Sequence, residues 1–190
     1  MPSTLHAELI ILGSGPAGYA AAVYAARANL RPLLISSAEF DEAHVPPADA
    51  WPPDVDFVRG PGLKRRLRDH SERVSTRVVF DRIKSVNLTC RPFHLKGDSG
   101  SYSCAALIVA VDTALDTRMF SGQLDMRNGQ IVTSTGLSGM PTMTSLQGVF
   151  VAGDLQEPDI DQLITSTGTA CMAALDAQRY LELTPALCRN

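Results

Sequence analysis

The segment Ile10-Ile11-Leu12-Gly13-Ser14-Gly15-Pro16-Ala17-Gly18-Tyr19 constrains the chain more than any other part of it. Its apolar lead-in reads as a buried strand, its glycines as a tight turn and its end as the start of a helix. Gly13 makes the turn, Gly15 lets a backbone come close to an anion, and Gly18 lets the helix pack close to the strand. Pro16 falls in the first helical turn, where its missing N–H costs nothing. Free N–H groups and the positive end of the helix dipole then face a diphosphate. The alternative is a strand–turn–helix unit of the same type that no longer holds a ligand. Ala20–Ala28 continues as alanine-rich helix, and Leu33-Leu34-Ile35 reads as a second strand. Where an acid often closes that strand against a ribose, Ser36 and Ser37 stand, with Glu39 placed beyond the strand. A ribose there is expected on a hydroxyl or on backbone.

With 190 residues, 45% hydrophobic and 19% charged, the chain has the make-up of a soluble globular protein of one domain, or two small ones at most. A net charge of −3 gives no reason to expect nucleic acid. No apolar run approaches the roughly 18 residues that span a membrane. No basic-then-apolar leader is visible at the N-terminus, so the expected location is cytoplasmic. Cys90, Cys104, Cys171 and Cys188 form neither C-x-x-C nor a metal-ligand spacing, and His6, His44, His70 and His94 are scattered. No metal is expected. Cys104 and Cys171 lie in apolar runs and read as buried, inert thiols.

Residues 38–62, with five prolines, read as loop, residues 62–74 as helix and Arg77–Phe80 as strand. Ile83–Leu88, Pro92–Lys96 and Tyr102–Val111 read as an antiparallel meander. Asn128-Gly129 suits a type I′ hairpin turn. Gly148–Ala152 reads as a buried strand ending in Gly153-Asp154, and the last helix as running from about Asp159 to Leu181. Lys64, Arg65, Arg66, Arg68, Arg73 and Arg77 read as the solvated face of a helix, with docking of an acidic partner as the alternative. No aromatic residues are interleaved, which argues against single-stranded nucleic acid.

A strand ending in Gly153-Asp154 can aim a carboxylate at a polyol hydroxyl. Together with the glycine motif, this resembles the two-part FAD site of flavoprotein disulfide reductases. Over Gly13–Pro32, Arg91–Ala110 and Leu163–Leu181 the chain resembles the bacterial low-molecular-weight thioredoxin reductase family, and in particular its FAD domain. The resemblance implies an α/β fold: a single Rossmann-like FAD-binding domain with a central parallel sheet, flanking helices and a three-stranded antiparallel meander. It implies Gly13, Ser14, Gly15, Pro16, Ala17 and Gly18 around the pyrophosphate. It puts Ser36 near the adenosine ribose, Arg82 near the adenine, Ala110 and Gly153 at the cofactor, and Asp154 accepting from a ribitol hydroxyl. Gln162 and Leu163 fall by the pyrimidine edge of the flavin. A homodimer is the implied assembly.

The departures carry as much information. The family inserts an NADPH-binding domain, with its own glycine motif and a redox C-x-x-C, into the FAD domain. Here Ala106–Thr113 runs straight into Ala114–Leu124, so the domain is expected in two segments, about 1–111 and 112–190, joined directly. With no second glycine motif and no dithiol, the chain is expected to have no NADPH site and not to perform the family reaction unaided. Near the flavin, Glu39–His44 stands for a Gly-Gly-Gln loop, Ala50-Trp51-Pro52-Pro53 for Asn-Trp-Pro-Gly, and Asp161-Gln162-Leu163 for Arg-Gln-Ala. An aspartate in place of that arginine would lower the flavin potential, by about 30 mV per 1.4 kcal/mol. Asp161 is equally suited to stabilising a first helical turn. Two functions stay open: a redox flavoprotein supplied or drained by an external partner, and a non-catalytic scaffold that binds FAD, or only its ADP moiety, and acts through protein contacts.

Overall fold

A computed structural model of the chain describes residues 4–13, 15–36, 69, 73, 76–110, 117–133, 139–153 and 163–184. The chain opens with β1 (Leu5–Leu12), α1 (Pro16–Arg27) and β2 (Leu33–Ser36), followed by β3 (Arg77–Phe80), β4 (Ile83–Asn87), β5 (Phe93–Gly97) and β6 (Ser101–Ala110). A 3-10 turn at Thr117–Phe120 leads to β7 (Met126–Arg127), β8 (Gln130–Ile131), β9 (Val149–Ala152) and α2 (Leu163–Leu183).

Five strands form a parallel array in the order β3-β2-β1-β6-β9. Its inner strands are apolar without alternation because both faces are covered. Leu9–Leu12 are buried throughout, whereas Leu5–Glu8, nearer the sheet end, alternate. β6 joins the parallel and antiparallel parts of one seven-stranded sheet. Along one edge it pairs with β1 from Tyr102 to Val109. Along the other, Ser101–Cys104 pair antiparallel with β5 and Leu107–Ala110 pair parallel with β9. β4 pairs antiparallel with β5, completing the expected three-stranded meander.

Two apolar layers result. Alanines on α1 (Ala17, Ala21, Ala25) and α2 (Ala170, Ala173, Ala174, Ala177) pack with Ile11, Ile108 and Phe150 on one face of the sheet. Side chains of this size let two helices lie close together and close to the strands. On the other face Ile10, Leu12, Leu107 and Val109 meet Val86, Phe93 and Leu95 of the meander and Phe120, Leu124 and Ile131 beyond it.

The hairpin has positive φ at both Asn128 (52°) and Gly129 (81°), as a type I′ turn requires. Two sequence expectations need correcting. Tyr102–Val111 read as a meander strand alone, but the C-terminal half of β6 lies inside the parallel array, between β1 and β9. Cys171 read as buried, but it is only half-buried, because it lies on a flank of α2 rather than on the alanine face. Loop 38–62, most of the helix expected over 62–74, and the start of the last helix at Asp159 lie outside the described residues. No helix among the described residues is long and apolar enough to cross a membrane.

Candidate cofactor site

The carboxyl ends of the parallel strands form one edge of the sheet. Along it, in spatial order, stand Arg82 just past β3, Ser36 ending β2, Gly13 just past β1, Ala110 ending β6 and Gly153 just past β9. Neighbouring strands lie about 4.8 Å apart, so this row runs roughly 20 Å. Ligands of open parallel sheets bind at this end, where the connections leave the strands.

The centre of the row is the turn from β1 into α1. Gly13 has φ 116°, a conformation glycine adopts without strain, and its N–H donates to Ile35 O at 2.9 Å. A Cβ on Gly18 would stand 1.9 Å from Gly13 O, so only glycine permits this approach of helix to strand. The N-terminus of α1 is bare. Gly15 caps it without a side-chain hydrogen bond, Pro16 follows, and no acidic residue lies in the first turn. A helix leaves its first N–H groups without internal partners, and an anion is the complement to such an end. These features fit a diphosphate. Ser14 lies outside the described residues.

The β2–β3 side is braced by a buried carboxylate. Ser36 is buried, and its carbonyl accepts from Asp81 N–H at 2.8 Å. Asp81 Oδ1 accepts from Ser99 N–H at 3.0 Å, and Oδ2 accepts from Gly100 N–H at 3.1 Å and Tyr102 Oη at 2.7 Å. Burial pushes the Asp81 pKa up, but these bonds, led by that from Tyr102, outweigh it and hold the carboxyl below its ordinary range. The Tyr102 phenol is pushed up to about 12, first by burial and then by the carboxylate it serves. Arg82, next in the chain, is exposed, and its carbonyl accepts from Asp98 N–H at 3.1 Å. Asp81 thus pins the β5–β6 turn to the corner that carries Arg82 beside Ser36.

On the other side, β9 is held by α2 and by the strand-like segment before it. Val151 N–H donates to Thr142 O at 2.9 Å, and Thr142 donates through N–H and hydroxyl to buried Asp176 of α2, at 3.1 and 2.6 Å. Arg91 donates to Tyr180 Oη and to Gln147 O, and its guanidinium lies 4.8 Å from the centroid of Phe93 and 5.3 Å from that of Tyr180. Ala110 pairs with Ala152, and Gly153 turns away with φ 94°. Asp154, Gln162 and Asp161 lie outside the described residues; Leu163 opens α2, and its side chain is likewise outside them.

Asp81, Tyr102 and Thr169, whose hydroxyl oxygen accepts from Gly153 N–H at 3.1 Å, carry no signal in the sequence. An acid after a strand, a tyrosine in an apolar run and a threonine in a helix are ordinary there, and only tertiary contact distinguishes them. Burial pushes the thiols of Cys104 and Cys171 upward, so neither is activated. Among the described residues no group of side chains could hold a metal.

No family model matches the chain. A thioredoxin reductase of Vibrio cholerae is 30% identical to it over an alignment covering 96% of this chain and 99% of the relative. The chain belongs to the thioredoxin reductase family. An Escherichia coli O157:H7 thioredoxin reductase is 29% identical, with 96% and 98% covered. A Pseudomonas fluorescens glucosaminate ammonia-lyase is also 29% identical, with the same shares covered. Among solved structures, a Gloeobacter violaceus thioredoxin reductase superposes with TM-score 0.77 at 15% identity, over 99% of each chain. A ferredoxin-flavin thioredoxin reductase of Clostridium acetobutylicum does so with TM-score 0.73 at 16% identity, over 95% of this chain and 99% of that one. The family is one of flavin oxidoreductases whose cofactor is FAD.

Proposed function

We propose that this chain binds FAD along the carboxyl edge of its parallel sheet and works as a redox flavoprotein fed by an external electron donor, without the family's NADPH domain or dithiol. The observation that carries the proposal is the bare, glycine-approached N-terminus of α1 in the middle of that edge. Gly13, Ser14, Gly15, Pro16, Ala17 and Gly18 hold the pyrophosphate, Ser36 and Arg82 the adenosine, and Ala110, Gly153 and Asp154 the ribitol, with Gln162 and Leu163 at the pyrimidine edge. FAD supplies a reversible two-electron carrier; the chain's residues bind and orient it.

The sequence and the alignments support the absence of those parts. No second G-x-G-x-x-G and no C-x-x-C is present. The alignment with the Vibrio enzyme runs over 314 residues, more than the 190 of this chain, so a stretch of that relative faces no residue here. The four cysteines are far apart in sequence, and burial pushes the thiols of Cys104 and Cys171 upward. This last observation also favours the second reading, a scaffold that keeps FAD or its ADP moiety and acts through protein contacts.

The test begins with the visible spectrum of the purified chain and identification of the released cofactor. Flavin bands with FAD released support the proposal; a colourless protein that takes up no added FAD refutes it. Reversible reduction by light or dithionite favours the redox reading over the scaffold. Gly15→Leu should weaken FAD binding about 100-fold, equivalent to roughly 2.7 kcal/mol, by filling the space the phosphates need. Undiminished binding would exclude the pyrophosphate assignment. The proposed homodimer is checked by light scattering on the same sample.

A further inference from the structure

The amide of Gly153 is satisfied from outside the sheet. It donates to Thr169 Oγ1 at 3.1 Å, and Thr169 Oγ1 donates in turn to Ser166 O at 3.0 Å, one helical turn back on α2. The hydroxyl has a single proton, which is committed to Ser166 O, so its oxygen can only accept from Gly153. One side chain therefore fixes both the place and the direction of the turn that leaves β9. Gly153 is buried with φ 94°, a conformation glycine adopts without strain, so its own dihedrals do not hold the turn in place and this bond does.

The position of this turn matters because of where it lies. Gly13 and Gly153 flank Ala110 on successive strands, about 10 Å apart across β1, β6 and β9. A ligand with its diphosphate at α1 and its adenosine toward Ser36 and Arg82 has only the β9 side left for the rest of the molecule. Resting on the FAD-binding reading above, we infer that Thr169 is a positioning residue for the ribityl side of the cofactor site. It sets where the backbone at Gly153 meets the cofactor while touching the cofactor nowhere itself. Hydroxyl loss at Thr169 leaves a buried N–H without its acceptor and frees the turn, while the diphosphate cradle on α1 keeps its own supports.

The experiment compares the FAD and ADP affinities of the full chain, freed of flavin, with those of Thr169→Val, Thr169→Ala and Thr169→Ser. Thr169→Val should raise the Kd for FAD about tenfold, as loss of one buried hydrogen-bond acceptor predicts. Its Kd for ADP should stay within a factor of about two, and Thr169→Ser, which keeps the oxygen, should bind FAD nearly as the parent does. Unchanged FAD affinity in Thr169→Val, equal losses for FAD and ADP, or a serine variant as weak as the valine one would each overturn the inference. If Thr169→Val does not fold, as judged by circular dichroism, the same comparison on Thr169→Ala decides. A parent chain that binds FAD but not ADP at millimolar concentration also overturns it, because the two halves of the site would not be separable. A parent chain that binds no FAD removes the FAD-binding reading itself, which the first titration distinguishes from all the other outcomes.

Discussion

Two glycines in helices, Gly18 and Gly168, carry opposite consequences for the same substitution. On Gly18 a methyl group would collide with the carbonyl oxygen of Gly13, a fixed backbone atom 1.9 Å away. Gly18→Ala should destabilise the chain by about 1–3 kcal/mol, read as a lower denaturant midpoint with an unchanged slope. Gly168 is exposed on α2, and a Cβ there would meet nothing within 4 Å. Gly168→Ala should stabilise by about 0.5–1 kcal/mol, because alanine loses less freedom in a helix. The motif spacing around Gly13 and Gly15 made the role of Gly18 legible in the sequence. Asp81 gave no such sign, since its three backbone and phenolic partners, Ser99, Gly100 and Tyr102, are supplied by a turn and strand further along the chain. Its folded-state pKa lies below the ordinary value of about 3.9. Its contribution is therefore fully present above that ordinary value and lost as pH falls through the folded-state one. Equilibrium unfolding measured across this acid range should show a fall in stability that Asp81→Asn makes shallower.

At the scale of elements, α2 works as a gauge for β9. Thr169, Asp176 and Tyr180 recur at helical spacing and reach Gly153, Thr142 and Arg91, while the intervening Ala170, Ala173, Ala174 and Ala177 pack the helix down. Asp176→Ala should cost about 2–3 kcal/mol in chemical denaturation, since it strands two donors of a buried threonine. The strands themselves were readable, because continuous apolar runs and a turn-forming Asn-Gly pair are local signals. The division of β6 between two partners was not. An apolar run records that both faces are covered but not which strand lies at each edge, and the partners β5 and β9 come from opposite sides of β6 in sequence.

For the whole molecule, the family was legible because a glycine motif, a Gly-Asp strand end and an alanine-rich helix occur in family order, and the same features mark the proposed cofactor edge. The braces behind that edge, Asp81 on one side and Thr169 on the other, were not, since each works through residues distant in sequence. The proposed loss of the NADPH domain predicts a functional asymmetry. Millimolar NADPH should leave bound flavin oxidised over a time in which light or dithionite bleaches it fully. Rapid bleaching by NADPH alone, followed by stopped-flow absorbance, would contradict the proposed lack of an NADPH site.

Because β6 carries the meander on one half of its edge and β9 on the other, with β1 running along its opposite side, the sheet of described residues has no seam along which it can come apart. Opening the meander removes partners from the strand that also supports the proposed cofactor edge. The amides of β6 should then exchange with solvent only through global unfolding and share one protection factor from Tyr102 to Val109. Its pairings join segments from across the chain, which makes this strand costly to assemble and a slow step in reaching the native state. Protease treatment should accordingly yield either the intact array or small peptides, with no stable half-molecule between them.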